Sequence, residues 1–164
     1  MRRTALLLPL ALVLTAALPV AAAPAAGEVR VHFKPVESLS DVGRGADRER
    51  NVKALAGHFR ALAARLPAGQ VLSVEVLDVK LAGALRPAHG GQELRVLEGR
   101  ADWPRLDLEW RLTRGEGTLA SGHDRVSDMN YLDTPLRAGH DDALPYERRM
   151  IERWFEERVA PSAR

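Results

Sequence analysis

The chain has 164 residues, which is enough for one domain with a single hydrophobic core. It contains 24 Lys and Arg residues against 22 Asp and Glu residues, and without Arg2 and Arg3 the two signs balance at 22 each. This balance argues against a nucleic-acid partner and against a polybasic surface for anionic lipid. Cysteine is absent, which excludes disulfides, thiolate nucleophiles and cysteine metal ligands.

The first 25 residues have the pattern of a secretory signal peptide. Arg2 and Arg3 form a positively charged start, residues 5–20 are mostly apolar, and small residues follow. We expect cleavage after Ala22 or Ala25, a periplasmic location and no membrane span in the mature chain; a retained amino-terminal anchor is the alternative. Residues 26–164 are then expected to form a single globular domain.

The domain begins with a predicted half-buried strand and an amphipathic helix. Val29, Val31 and Phe33 alternate with polar residues, as one face of a strand requires. After a loop, apolar residues recur at helical spacing over residues 52–66, and Asp47 is the expected helix cap.

Residues 71–81 form the longest strand-like run and the expected centre of the sheet. The apolar residues change phase midway, giving two sets on opposite faces: Leu72, Val74 and Val76, then Leu77, Val79 and Leu81. This change predicts a β-bulge at Val76/Leu77 or a strand buried on both faces. The long connection through the helix allows the first strand to lie parallel to this one.

Three further strands are predicted over residues 93–98, 104–112 and 118–126. In the first, Leu94 and Val96 are the expected inward residues. The second has the clearest alternation, with four apolar side chains on one face: Leu106, Leu108, Trp110 and Leu112. A glycine-rich turn precedes the third strand, which Gly122 weakens.

Residues 127–132 suggest a short helical turn, and a final helix begins near Pro145. The tail from Pro161 is expected to fray. Strands bracketed by two amphipathic helices indicate an α+β two-layer sandwich: a mixed, mostly antiparallel sheet of four to five strands, with both helices packed on one face.

No sequence pattern predicts a catalytic site, a metal site or a cofactor. Ser121 or Ser127 could join His123 and Asp124 in a nucleophilic triad, but adjacent strand residues point to opposite faces. A loop at residues 140–142 supplies His and Asp, yet it lacks a recognised metal-ligand spacing.

Polar and aromatic residues on loops mark a candidate surface for a small ligand or an envelope protein. Asp78 interrupts an apolar strand, and four other candidates lie on or beside loops: His89, Trp103, Asp128 and Tyr131. We expect a non-enzymatic binding or envelope-associated module. The alternatives are a small periplasmic hydrolase that uses Asp78 and Asp128 or a His/Asp pair, and a subunit that assembles through an exposed strand edge.

Five segments resemble, in the same order, the exported Gram-negative family catalogued as domain of unknown function 3016. They are residues 29–33 (VRVHF), 66–83 (LPAGQVLSVEVLDVKLAG), 104–112 (PRLDLEWRL), 127–132 (SDMNYL) and 146–155 (YERRMIERWF). The family more usually has an acidic residue where Lys80 stands, which argues against a ligand role for that position. The resemblance implies an exported soluble domain and brings no established activity, cofactor or catalytic residue.

Overall fold

The computed structural model describes residues 26–91, 93–99, 101–136 and 143–163. The predicted signal peptide and the loop at residues 140–142 lie outside this part of the chain. Within it, the helices and strands are β1 (Glu28–Phe33), α1 (Gly45–Ala61), β2 (Gln70–Lys80), β3 (Ala84–Pro87), β4 (Glu93–Val96), β5 (Arg105–Arg114), β6 (Gly117–Ser127) and α2 (Pro145–Trp154).

Four strands form the main sheet in the order β1-β2-β5-β6, and β3 and β4 form a separate hairpin. β1 and β2 are parallel, whereas the β2-β5 and β5-β6 pairs are antiparallel. The chain passes through α1 between β1 and β2, because parallel strands need a long crossover. The predicted α+β fold with a mixed sheet is therefore confirmed.

β2 is an inner strand and contains the predicted bulge. Its register with β5 shifts between Val76 and Asp78, which leaves Leu77 as the extra residue. Val76 and Val79 are both fully buried although their spacing would put them on opposite faces of a regular strand. The bulge thus keeps both halves of β2 in the core.

Both helices cover the same face of the main sheet. Phe59 of α1 and Trp110 of β5 each meet Trp154 of α2 edge-to-face, with ring centroids 6.0 and 6.2 Å apart. The inward residues of β5 are at most 6% exposed, as their alternation predicted. Of the described residues, no helix is long and apolar enough to cross a membrane.

The structure corrects the predicted start of the first helix and the predicted short helix after β6. α1 begins at Gly45, and its N-cap residue Arg44 makes no side-chain cap, so Asp47 lies within the first turn. Residues 129–133 form turns rather than a short helix.

The hairpin was also only partly predicted. The predicted loop over residues 83–92 contains β3, which pairs with β4. Leu94 and Val96 are 57% and 40% exposed rather than inward, because the hairpin stands outside the main sheet.

The carboxyl-terminal tail is docked on the core rather than frayed. α2 continues through a wide π turn at Phe155–Val159 and a 3-10 turn at Ala160–Ser162. Ala163 is 4% exposed, and its carbonyl accepts a hydrogen bond of 2.9 Å from the buried Gln70 side chain. This bond satisfies the amide nitrogen of Gln70 inside the protein.

Candidate functional site

The five sequence-predicted site residues do not meet around one cavity. Asp78 accepts two hydrogen bonds of 2.7 Å from the backbone N–H and the hydroxyl of Ser40, so it anchors the loop after β1. His89 is exposed in the turn between β3 and β4, and Trp103 is half-buried in the loop before β5.

Asp128 and Tyr131 do come together, and Arg149 of α2 joins them. One guanidinium nitrogen lies 3.0 Å from Asp128 Oδ2 and 2.6 Å from the carbonyl oxygen of Tyr131. Asp128 is 4% exposed and has a second cation, Arg153, at 3.5 Å. A buried carboxylate with two arginines is a structural link between the loop after β6 and α2.

The Tyr131 hydroxyl also has a structural role. It donates a hydrogen bond of 3.0 Å to Asp102 Oδ2 and accepts one of 3.3 Å from Gly99 N–H. Burial raises the pKa of Tyr131 to about 12. Since the phenol is protonated at neutral pH and already bonded, it is a poor proton donor for chemistry.

His123 and Asp124 point to opposite faces of β6, as the sequence predicted. His123 Nε2 lies 2.5 Å from Asp107 Oδ1 on the face away from the helices. Asp124 accepts the indole N–H groups of Trp110 and Trp154 at 2.7 and 3.0 Å on the helix-covered face. The two residues therefore cannot serve one serine.

Arg158 completes the environment of Asp124, with a hydrogen bond of 2.9 Å to Oδ1. Burial by itself would raise the pKa of Asp124, but the bonds from Arg158 and the two indoles hold it below its ordinary value. Asp124 is thus a fixed anion that ties the edge strand β6 to the end of α2.

The uncovered face of the main sheet has a polar row that sequence reasoning missed. Strand register aligns His32, Glu75, Glu109 and His123 across all four strands, beside a shallow groove of about 640 Å³. In the sequence, these four residues are only polar positions in the alternating patterns of four separate strands, and the patterns do not show that they align. Within the described residues, no group of three or more His, Asp and Glu side chains could hold a metal ion.

Two other grooves follow the outer strands of the main sheet. One of about 370 Å³ lies between β1 and α1 and has an apolar floor of Val31, Phe33, Val36, Val52 and Ala56. The other, of about 530 Å³, lies between β6 and α2 and is lined mainly by charged residues.

Exposed apolar side chains are concentrated on two segments, β4 with the residue after it and the loop after β6. We call these two segments together the apolar hairpin surface, and its members are Leu94, Val96, Leu97, Met129 and Leu132, which are between 40% and 63% exposed. The two segments touch at Gly99, where an added Cβ would lie 2.9 Å from Leu132 Cδ1.

The fold and these surfaces define a two-layer α+β domain whose polar candidate residues mostly serve its own structure. Residues 27–157 match the family model described as "Protein of unknown function (DUF3016)". The chain belongs to this family, as its resembling segments suggested. No curated protein matches the sequence of the chain.

Proposed function

We propose that the protein is an exported, non-enzymatic binding module of the cell envelope that holds a protein partner. The apolar hairpin surface supports this proposal. Six large apolar side chains are exposed among the described residues, and five of them lie on these two segments, which approach each other at Gly99 and Leu132. Clustered apolar side chains of this kind are typical of protein interaction sites, because their burial in a complex removes them from water.

Periplasmic location is the part of this proposal that rests on residues 1–25. Their charged start, apolar middle and small-residue end support export. Intact-mass measurement of the protein from its native cells should show a chain that begins after Ala22 or Ala25. An uncleaved chain in the envelope fraction would contradict export and release.

Site-specific photo-crosslinking in intact cells tests the binding surface. A photoreactive amino acid at Leu94 or Met129 should give a discrete crosslinked protein. The matched control is Leu119, which is 41% exposed but lies on β6, outside this surface. Equal crosslinking from Leu119, or none from Leu94 and Met129, would contradict the assignment.

A hydrolase is the second candidate, and the short His123–Asp107 contact favours it. Ser121 lies two residues from His123 on the same face, and both border the groove on the uncovered face. Asp78 and Asp128, by contrast, are held by separate structural partners. Hydrolysis of a p-nitrophenyl ester that falls to background in Ser121→Ala would establish this activity; equal rates in the two proteins would remove it.

A further inference from the structure

The outer edge of β1 is an unoccupied strand edge that runs beside an apolar groove. No strand in the described part of the chain pairs with this side of β1. Val31 and Phe33 are half-buried, and with Val52 of α1 they line the groove of about 370 Å³. An unpaired edge beside apolar side-chain space is the arrangement that binds an added strand.

The hydrogen-bond pattern of β1 shows which backbone groups face this edge. Lys34 N–H donates to the Val76 carbonyl of β2 at 3.0 Å. Residues that bond to β2 alternate along a parallel strand with residues whose backbone groups point outward. The N–H and C=O groups of Val31 and Phe33 therefore point away from β2, where they can pair with another backbone.

The charges at the rim of the groove are mostly positive. Arg48, Lys53 and Arg60 line it together with a single carboxylate, Glu49. Arg48 is already hydrogen-bonded to the carbonyl of Gly43, whereas Lys53 and Arg60 are exposed on α1. The rim thus favours an acidic occupant over a basic one.

We propose that the groove between β1 and α1 binds an extended, acidic segment of a partner protein, which adds to β1 as a fifth strand. Backbone hydrogen bonds to Val31 and Phe33 would hold the segment, and apolar side chains on its helix-facing side would enter the groove. Acidic side chains at other positions of that same side would lie near Lys53 and Arg60. This site shares no residue with the apolar hairpin surface, so it goes beyond the proposed function.

Charge disfavours a second copy of the chain as the occupant. Lys34 follows β1, and Lys53 and Arg60 line the groove, so a β1-β1 pair would bring positively charged rims together. The other outer strand, β6, is less suitable for any added strand. Its Ser127 carbonyl accepts a hydrogen bond from Arg153, and the adjacent groove is lined mainly by charged side chains.

Titration with designed peptides tests this site directly. The probe is a fluorescein-labelled peptide in which two valines and two flanking glutamates occupy alternate positions, with threonine between them, so that all four side chains face the groove. The control peptide has lysine in place of glutamate. We expect the acidic peptide to bind at least about tenfold more tightly than the basic one, and N-methylation of its backbone to abolish binding. Its binding should also slow amide exchange at Val31 and Phe33.

Charge reversal at Lys53→Glu/Arg60→Glu should weaken binding of the acidic peptide at least about tenfold. The double variant Arg105→Glu/Arg114→Glu, which changes the same net charge at exposed positions of β5, should bind as the unmodified protein does. Circular dichroism spectra will show whether both variants are folded.

Three results would overturn the proposal. The first is no binding at about 1 mM acidic peptide, the weak end of specific recognition. The second is equal loss of binding in both charge-reversal variants. The third is a concentration-dependent dimer that protects the amides of Val31 and Phe33, which would assign the edge to a second copy. None of these results bears on crosslinking at Leu94, so the proposed function is tested separately.

Discussion

At the scale of single residues, Asp128 and Tyr131 have structural roles that account for their polarity. Asp128 is 4% exposed and paired with Arg149, and the Tyr131 hydroxyl bridges Asp102 and Gly99. A buried polar group needs such partners whether or not it has a function. Sequence marks these residues as unusual, but the contacts identify them as links that hold the loop after β6.

Tyr131→Phe should lower the free energy of unfolding by about 1–2 kcal/mol, because Gly99 N–H and Asp102 each lose a buried hydrogen-bond partner. Urea denaturation monitored by tryptophan fluorescence measures the change. Tyr146→Phe is the matched control, since this half-buried neighbour packs edge-to-face on Tyr131 through its ring. An equal loss in both variants would contradict a specific role for the Tyr131 hydroxyl.

We expect ionisation of Tyr131 to lower the free energy of unfolding at alkaline pH. Burial raises the pKa of Tyr131 from 10.0 to about 12, so the folded state keeps its phenol protonated where the unfolded state ionises. This stabilisation is complete below pH 10 and is lost as the pH rises through about 12. Urea denaturation between these pH values should show that the free energy of unfolding falls more steeply with pH for the unmodified protein than for Tyr131→Phe. Parallel declines in the two proteins would contradict this role of Tyr131.

At the scale of elements, two glycines in regular structure have opposite consequences. Gly122 of β6 faces the indole of Trp110, and an added Cβ would lie 2.9 Å from Trp110 Nε1. Gly57 of α1 is exposed and has no atom within 4 Å of such a Cβ. The glycine in β6 leaves space for the indole that bonds to Asp124, whereas the glycine in α1 only weakens the helix.

Gly122→Ala should therefore destabilise the protein by about 1–3 kcal/mol, because Trp110 must move away from its position against Asp124. Gly57→Ala should stabilise it by about 0.5–1 kcal/mol through improved helix propensity. Thermal and urea unfolding of each single variant will show whether its free energy of unfolding is lower or higher than that of the unmodified protein. A destabilised Gly57→Ala or a neutral Gly122→Ala would show that the local packing differs from this description.

At the scale of the whole molecule, the chain consists of a continuous core and an attached hairpin. The main sheet and both helices share one hydrophobic cluster. Among the described strands, β3 and β4 pair only with each other, and they are joined to the rest by contacts such as the Arg95–Asp41 ion pair at 2.7 Å. A two-stranded hairpin has little stability of its own, so these attachments determine whether it stays docked.

Native-state hydrogen exchange should separate these two parts. Amides of β2 and β5, buried inside the main sheet, should exchange only through global unfolding, whereas those of β3 and β4 should exchange through local opening. Arg95→Ala, which removes the ion pair to Asp41, should increase exchange in the hairpin and leave β2 and β5 unchanged. Uniform exchange across all six strands would contradict a separable hairpin.

Sequence by itself determined the main sheet because alternation and helical spacing are local properties of the chain. The strand with Leu106 and Trp110 and the opposite directions of His123 and Asp124 follow from a period of two, and the phase change at Val76 left a bulge or burial on both faces as the two possibilities. The crossover through α1 also allowed the parallel pairing of β1 and β2 that the structure has.

Only the tertiary structure decided which polar residues are partners and which surfaces are uncovered. Asp128 forms an ion pair with Arg149, which lies 21 residues further along the chain. Glu75 and Glu109 lie side by side only because of the register between β2 and β5. Leu94 has an ordinary inward pattern in sequence yet is 57% exposed, because the hairpin of β3 and β4 stands outside the main sheet. Such contacts depend on how separate elements pack, and the period of a single strand carries no information about its neighbours.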